Sequence, residues 1–549
     1  MENAVINLYR NMDIKLIDFA HDAVGFIPDT SMLPVFPDLP GRDPVAYGIC
    51  LEPLSETHHA KYKAEGKELM KEIDALPCEE AVCVVLKEHY RDYLNEQLYY
   101  LDEIYRNPGL LLEALVTSLN NYCVQVHWED GIRCAIICGK FEKLPVYLDS
   151  LYETAVAAGS VSSLAEYTGP LIRFIETAVK KADELISGDF SERFLSSAGK
   201  ALSGCRELLE KCRSAESENS FTPVSPEDYP SLLMRRFGVS FDEINADCDE
   251  WLSECSEEMV SIARRLSVDE EKPQSVAEAK AFMDRHAGVC ADEKEMFRRA
   301  EEYNKLMHDA AADMIWLPDE KCIICGQDEL LSSFMDLPIG AFFETGLIKK
   351  PITSKYIINQ NRWSIMTDGY LKMMSAHECY FGHHTQFLYA NSTGLPYTVR
   401  MGAKSTALIE GTATYGEELA VPFYGDPYYE LFAAYRRNMT VARMKADIMA
   451  LSEGVVSEEI SCFYQEKAGM EKDFADGYAG AHLMMPGYMT TYYMGYRKIK
   501  ELEKIYGMDK GRYLQDIFSA GGISLESFER YMSLPDEEKA AFRIWKDGD

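Results

Sequence analysis

The chain has 549 residues, of which 47% are hydrophobic, so it can bury a large core and is not an intrinsically disordered protein. Its formal net charge of -34 opposes binding to nucleic acid, which needs a basic surface, and opposes docking on an anionic membrane. We therefore expect neither nucleic acid nor a membrane among its partners.

Several features of the whole chain favour a cytoplasmic location. The N-terminus lacks a basic segment followed by a sustained apolar core, so we expect no secretory signal. No run of the sequence approaches the roughly 20 apolar residues that a membrane-spanning helix needs. The 15 cysteines are scattered without a framework, which is typical of reduced thiols in a reducing compartment. The oligomeric state is left open.

Amphipathic helices dominate the first three hundred residues, where apolar residues recur at intervals of three and four with polar residues between them. The clearest examples are Glu80 to Leu101, Pro108 to Cys123, Leu171 to Leu185 and Asp242 to Leu266. The segment from Ser214 to Pro230 looks like an exposed connection. It predicts an N-terminal helical lobe (residues 1–220) and a second helical lobe (residues 221–549), although one continuous domain is also compatible with the sequence.

A short β-prone run from Ser354 to Asn361 interrupts the helical pattern. An edge strand beside a metal-binding helix can receive the backbone of an extended peptide as an added strand. We therefore expect a small β element here, beside the helix that follows.

The segment His377-Glu378-Cys379-Tyr380-Phe381-Gly382-His383-His384 has the composition of a catalytic metal site. It holds three of the eleven histidines of the chain. A catalytic zinc ion takes three protein ligands and leaves one position for water. Glu378 follows a candidate ligand directly and is chemically suited to accept the proton of that water.

The spacing departs from the usual HExxH motif, in which two histidines four residues apart share one face of a helix. Position i+4 from His377 is Phe381, so the second ligand has to be His383 or His384. His384 lies near the face of His377, but about 10 Å further along an ideal helix. His383 becomes usable if Gly382 allows a bulge or a local break, and we favour it.

A second motif runs from Ser405 to Glu418, begins with a helix-capping residue and ends before Pro422. Glu410 and Glu417 are seven residues apart and lie on one face of the predicted helix. One carboxylate could complete the zinc shell, while the other orients a ligand histidine.

The next predicted helix opens with Asp426-Pro427 and runs to Gly454. It carries Arg436, Arg437 and Arg443. One of these arginines could anchor the terminal carboxylate of a peptide, which would favour carboxypeptidase action.

These motifs resemble those of a known family. HECYFGHHTQ from His377 and EGTATYGEELA from Glu410 resemble the HEAxPGHHxQ and EGWALYxExL motifs of the domain of unknown function 885 family, a group similar to gluzincin-type zinc metallopeptidases. Met485 to Gly495 resembles its PGQAxSYxxG motif, and Arg443 and Asp447 fit its RxxxD pattern. The four blocks keep their order within residues 355–505.

The resemblance implies one zinc ion and a general base, Glu378. The implied ligands are His377, one of His383 or His384, and Glu410. Tyr492 stands where the family has a tyrosine and would donate a hydrogen bond to the oxyanion of a tetrahedral intermediate. Glu417, Arg443 and His482 would orient ligands or face substrate, although His482 fits a buried filler better.

The sequence departs from the family motifs at positions that shape the pocket and spares the ligands and the base. These positions are Cys379, Phe381, Thr412, Thr414, Tyr488, Ala481 and His482.

We therefore expect a mainly α, metallopeptidase-like fold with a small β element beside the metal-site helix and a deep cleft. The expected function is that of a zinc metallopeptidase of carboxypeptidase or oligopeptidase type, with oligopeptides as substrates. The alternative is a non-catalytic helical scaffold that retains a relic metal site.

Overall fold

The computed structural model describes residues 3–24, 39, 41–124, 129–215, 224–268, 272–337, 339–346, 351–401 and 406–545. Within these ranges it is mainly helical with a small β element, as the sequence predicts, and that element is one three-stranded sheet. No helix in the described ranges is long and apolar enough to cross a membrane. All fifteen cysteines are free thiols.

Thirteen α-helices within the described ranges precede the sheet. They are α1 (Asn3–Val24), α2 (Pro44–Gly48), α3 (Glu56–Asp74), α4 (Ala81–Arg106), α5 (Gly109–Val124), α6 (Asp130–Ala158), α7 (Val161–Lys180), α8 (Ala182–Leu185), α9 (Ser191–Ser214), α10 (Tyr229–Phe237), α11 (Phe241–Leu266), α12 (Val276–Arg285) and α13 (Glu293–Met314). The four predicted helices correspond to α4, α5, α7 with α8, and α11.

The sheet region contains β1 (Glu320–Gly326), α14 (Glu329–Phe334), β2 (Gly340–Gly346) and β3 (Ile352–Ile358). The remaining helices are α15 (Asp368–Met374), α16 (His383–Ser392), α17 (Tyr397–Met401), α18 (Ala407–Leu419), α19 (Val421–Tyr424), α20 (Pro427–Leu451), α21 (Ser457–Ala468), α22 (Lys472–Met484), α23 (Tyr488–Tyr506), α24 (Lys510–Ala520), α25 (Leu525–Ser533) and α26 (Asp536–Ala541).

The strand order is β1-β3-β2, with β3 parallel to β1 and antiparallel to β2. The expectation of an edge strand at Ser354 is therefore wrong. Both neighbours of β3 are short strands that the sequence pattern did not reveal, and they leave no backbone edge of β3 free for a peptide. The sheet does lie beside the motif segment, since Cys322 on β1 is 3.5 Å from Cys379, sulfur to sulfur.

Buried apolar side chains from both predicted lobes form one continuous core that reaches from Tyr9 to Ile544. The predicted boundary from Ser214 to Pro230 includes residues 216–223, which lie outside the described ranges, so the division into lobes stays a prediction.

The helices that carry the motifs start where the sequence provides caps. Asp426 accepts a hydrogen bond from the backbone N–H of Tyr428, and Pro427 occupies the first turn of α20. Thr406 precedes α18, while the predicted cap Ser405 lies outside the described residues.

Two glycines let α18 and α23 cross closely. A Cβ atom on Gly411 would lie 2.3 Å from the backbone carbon of Gly495, and one on Gly495 would lie 1.8 Å from the carbonyl oxygen of Ala407. Only glycine permits this approach. It brings Glu410 on α18 next to the tyrosines at the start of α23.

Candidate metal centre

The first motif is not one continuous helix. After α15 the chain makes a π-helical turn at Ser375–Cys379 and then breaks, with Phe381 at φ 76°. A Cβ atom on Gly382 would lie 1.8 Å from the carbonyl oxygen of His377, so glycine is required for the chain to fold back this tightly. Helix α16 starts directly afterwards at His383.

This break brings His377 and His383 together. Their rings are nearly perpendicular, with centroids 4.9 Å apart. Glu410 joins them from α18: its Oε2 lies 3.5 Å from Nε2 of His377 and 3.5 Å from Nε2 of His383. The structure therefore gathers one donor atom from each of three chain segments, all within 4.8 Å of one another.

The spacing of these atoms fits a metal ion. Ligands at about 2.1 Å from a tetrahedral zinc ion are about 3.4 Å apart. Oε2 of Glu410 is buried and accepts no hydrogen bond from the described residues. A buried carboxylate oxygen without a hydrogen bond is costly unless a cation or another donor satisfies it.

The second polar atom of each of these three side chains, the one directed away from the other donors, contacts a neighbouring side chain. Nδ1 of His377 donates to Oε1 of Glu417 at 2.9 Å, and Nδ1 of His383 lies 2.8 Å from Oε1 of Gln386. The hydroxyl of Tyr488 donates to Oε1 of Glu410 at 2.8 Å. Such partners fix the orientation of metal ligands and raise the affinity of a site.

Glu417 is itself neutralised by Arg436, whose Nε and Nη2 donate to its carboxylate at 3.1 and 3.0 Å. Burial raises the pKa of Glu417, but the charge of Arg436 and the hydrogen bond from His377 outweigh burial and lower the pKa to about 2. Glu417 is therefore a permanent acceptor for the His377 ring.

The three donor groups are strongly coupled through their charges. Burial disfavours the protonated form of His377, but the nearby carboxylates of Glu410 and Glu417 outweigh burial and raise the pKa of His377 to about 10. Burial likewise raises the pKa of Glu410, but both histidines hold it well below its usual range. A metal ion that binds here has to displace protons from the imidazoles.

Glu378 lies in the π-helical turn beside the three donors and is 8% exposed. Burial raises its pKa, while the charges of His377 and His383 oppose that rise. A carboxylate with a raised pKa next to a cation site is suited to accept a proton from water.

Tyr492 lines the same space. Its ring stacks over the ring of His377 with centroids 6.3 Å apart, and its hydroxyl is 3.1 Å from the hydroxyl of Tyr488. Burial raises the pKa of Tyr492, so the phenol keeps its proton and can donate it in a hydrogen bond.

His384 lies outside the group of three donors. Its Nε2 is 2.8 Å from Oε2 of Glu320, and its Nδ1 is 2.5 Å from the hydroxyl of Ser354. The break places His383 and its neighbour on different sides of the first turn of α16. Of the two candidates for the second ligand, the geometry favours His383.

The three arginines of α20 have different partners. Arg436 pairs with Glu417, and Arg437 pairs with Glu258 at 2.6 Å, so neither is available to a substrate carboxylate. Arg443 contacts the hydroxyl of Tyr478.

His482 is fully buried. Its ring nitrogens contact Asp447 at 2.5 Å and the hydroxyl of Tyr464 at 2.6 Å. With both ring nitrogens in contact with protein groups, His482 fits a buried filler better than a substrate-facing donor.

Two residues that hold the donors were missed in the sequence. Gln386 stands three residues after His383 on the same helix, a spacing that makes contact possible. Tyr488 was noted only as a departure from the family motif, and its contact depends on how closely α18 and α23 cross.

Most of the chain matches one protein family: residues 51–519 match the family described as "Bacterial protein of unknown function (DUF885)". No curated protein gives a significant match.

Two solved structures have a similar fold. A crystal structure described as "the putative lipoprotein from Colwellia psychrerythraea" gives a TM-score of 0.78 at 14% identity, covering 96% of this chain and 98% of that one. A "putative lipoprotein of unknown function" from Shewanella oneidensis gives a TM-score of 0.69 at 15% identity, with coverage of 95% and 99%. At these identities the similarity shows the fold alone.

Proposed function

The chain belongs to the DUF885 family of bacterial proteins, whose function is not known, and from its own geometry we propose that it is a zinc-dependent metallopeptidase that cleaves oligopeptides. One observation carries the proposal: Oε2 of Glu410 lies 3.5 Å from Nε2 of both His377 and His383 and has no hydrogen bond within the described residues. Glu417, Gln386 and Tyr488 contact the remaining polar atoms of these three side chains and fix their orientation.

The residues around this group fit the hydrolysis of an amide. When bound, a zinc ion supplies Lewis acidity and lowers the pKa of water toward neutrality. Glu378 accepts the proton of the attacking water and passes it to the departing amine. The hydroxyl of the water goes to the carbonyl carbon, so the products are a carboxylic acid and an amine.

The hydroxyl of Tyr492 is suited to stabilise the oxyanion that forms when the carbonyl is attacked. The ring of Tyr492 stacks over that of His377, and its hydroxyl lies 3.1 Å from the hydroxyl of Tyr488, which donates to Glu410. A preorganised donor of this kind contributes about 2.7–4 kcal/mol to the stability of a transition state.

The limited exposure of the site favours short, unfolded peptides as substrates. His377, Glu378 and Glu410 are 5%, 8% and 8% exposed, which excludes contact with the surface of a folded protein and favours a narrow, extended substrate. We therefore propose oligopeptides as the substrate class.

Metal analysis and peptide digestion test the proposal. Purified protein should contain one zinc ion per chain and should cleave a peptide library. The Glu378→Gln variant should keep the metal and lose about 10²- to 10⁴-fold in rate, because glutamine cannot accept the proton. Glu418→Gln, which alters a carboxylate bound to Tyr496 and Lys500 instead, is the matched control and should stay active.

The rival is a non-catalytic scaffold with a relic site. It predicts protein without stoichiometric metal, or a metal-loaded protein whose Glu378→Gln variant and wild type treat the library identically. Either result would overturn the peptidase assignment.

A further inference from the structure

The guanidinium of Arg443 is buried and has no carboxylate partner among the described residues. The residue is 5% exposed, its Nε–H donates to no group among the described residues, and its polar contact is the hydroxyl of Tyr478. A buried cation that no anion neutralises is costly, and such a group is usually paired. In the described part of the chain, Arg443 forms no ion pair with an acidic side chain.

The carboxylates near Arg443 bind other partners. Asp447, one turn further along α20, binds His482 and both the backbone N–H and the hydroxyl of Thr490. Glu417 is taken by Arg436 and His377. The charge of Arg443 is therefore faced mainly by aromatic rings, whose attraction for a guanidinium is weaker than that of a carboxylate.

Arg443 lies next to the metal centre, separated from it by one ring. Its guanidinium carbon is 5.4 Å from the centre of the Tyr492 ring, and that ring is 6.3 Å from the ring of His377. Three tyrosines lie between Arg443 and the metal centre or beside them: Tyr478, Tyr488 and Tyr492. They are only half-buried, so solvent reaches the region that they line.

The separation suits a short stretch of peptide. One residue of extended chain spans about 3.3–3.6 Å, so one or two residues connect a carbonyl at His377 with a carboxylate at Arg443. A guanidinium binds carboxylates through two parallel N–H groups, and the Nε–H of Arg443 is available for one of them.

We propose that Arg443 binds the C-terminal carboxylate of the peptide substrate, so that the enzyme removes one or two residues from the C-terminus and does not cut within long chains. The inference rests on the proposed function for its scissile bond. Arg443 acts here as a specificity-determining residue, and the ligand it recognises is a free α-carboxylate.

Matched peptides test this in the zinc-loaded protein. Each peptide is made with a free C-terminal carboxylate and with a C-terminal amide. For the wild type we expect kcat/KM to be at least tenfold higher for the free acid. Arg443→Met should cleave both forms at a similar rate, and Arg443→Lys should retain part of the preference, because it keeps the charge and loses the paired geometry.

The control is Lys445→Met, which removes a positive charge from the outer side of the same helix, where Lys445 pairs with Asp249. It should keep the full preference for the free acid. Equal cleavage of acid and amide by the wild type, or an unchanged preference in Arg443→Met, would refute the role of Arg443.

Binding to the Glu378→Gln variant separates this inference from the proposed function. If that variant binds the free acid more tightly than the amide and Arg443→Met abolishes the difference, the carboxylate site stands even when no peptide is hydrolysed. If the wild type hydrolyses peptides but neither binding nor rate depends on the carboxylate, the peptidase stands and the carboxylate site fails. Absence of binding to either form refutes the site.

Discussion

Glu417 accepts the Nδ1–H of His377 at 2.9 Å, and this contact leaves Nε2 of the imidazole directed at Glu410. The two glutamates are seven residues apart on α18, so one helix both supplies a donor atom and orients another. The histidine is thereby held between two carboxylates with distinct tasks.

Replacing Glu417 by glutamine should weaken zinc binding by about 10- to 100-fold, because the ring of His377 loses its charged acceptor. Competition with a chelator measures this affinity. Arg436→Met is the matched variant: it removes the same ion pair but keeps the carboxylate on His377. It should lower thermal stability and retain most of the zinc affinity, and equal losses of affinity in both variants would contradict an orienting role for Glu417.

Tyr488→Phe should reduce zinc affinity by about tenfold, since a hydrogen bond to a charged group is worth about 1.5–3 kcal/mol and Glu410 then loses its donor on Oε1. Tyr496→Phe serves as control because its hydroxyl contacts a carboxylate outside the centre, that of Glu418. Titration with zinc should show a change for the first variant alone. If both or neither changed, the contact of Tyr488 would not be what supports Glu410.

Gly382→Ala should abolish the folded centre, because the added methyl group would lie 1.8 Å from the carbonyl oxygen of His377. Gly477→Ala meets no atom within 4 Å in helix α22 and should be neutral or stabilise by up to about 1 kcal/mol. Thermal unfolding and zinc content of both variants provide the comparison. Normal zinc content in Gly382→Ala would show that the chain can break differently here.

Glu503 should make the free energy of unfolding depend on pH. Burial raises its pKa, but hydrogen bonds from Lys500, Lys510 and Tyr415 outweigh burial and lower the pKa to about 2, against an ordinary value of 4.5. A depressed pKa in the folded state contributes stability above the unfolded value of 4.5, and this contribution is lost as the pH falls toward 2.

We expect Glu503→Gln to be less stable than the wild type at pH 7, by about 1 kcal/mol after screening by solvent. The difference should shrink between pH 4.5 and 2, which urea unfolding at a series of pH values can follow. A difference that stays constant down to pH 3 would exclude this linkage.

The helices were predictable where local signals agree with packing. Helix α11 begins at Phe241, one residue before the predicted start, because Ser240 and Glu243 cap each other reciprocally. Helix α7 differs: it starts at Val161, well before the predicted start at Leu171, and includes Pro170. Burial of its apolar face outweighs the one hydrogen bond that proline removes.

For the centre, the sequence supplied the chemistry of the donors but not their orientation. The choice between His383 and its neighbour depends on a chain break whose angles no residue spacing encodes. The sequence could not show that Arg443, unlike Arg436 and Arg437, lacks a carboxylate partner among the described residues. The partners of Arg436 and Arg437 come from other helices. Contacts between segments distant in the chain decide both questions.

The break at Gly382 has a mechanical consequence. Because the donors of His377, His383 and Glu410 lie on three segments that no continuous helix connects, a cation shared by them would act as a staple across the gap. Its binding energy would stabilise the native state against any opening that separates these segments. Removal of the ion would then destabilise the π-helical turn and the start of α16 first, while the helices of the N-terminal half stay folded.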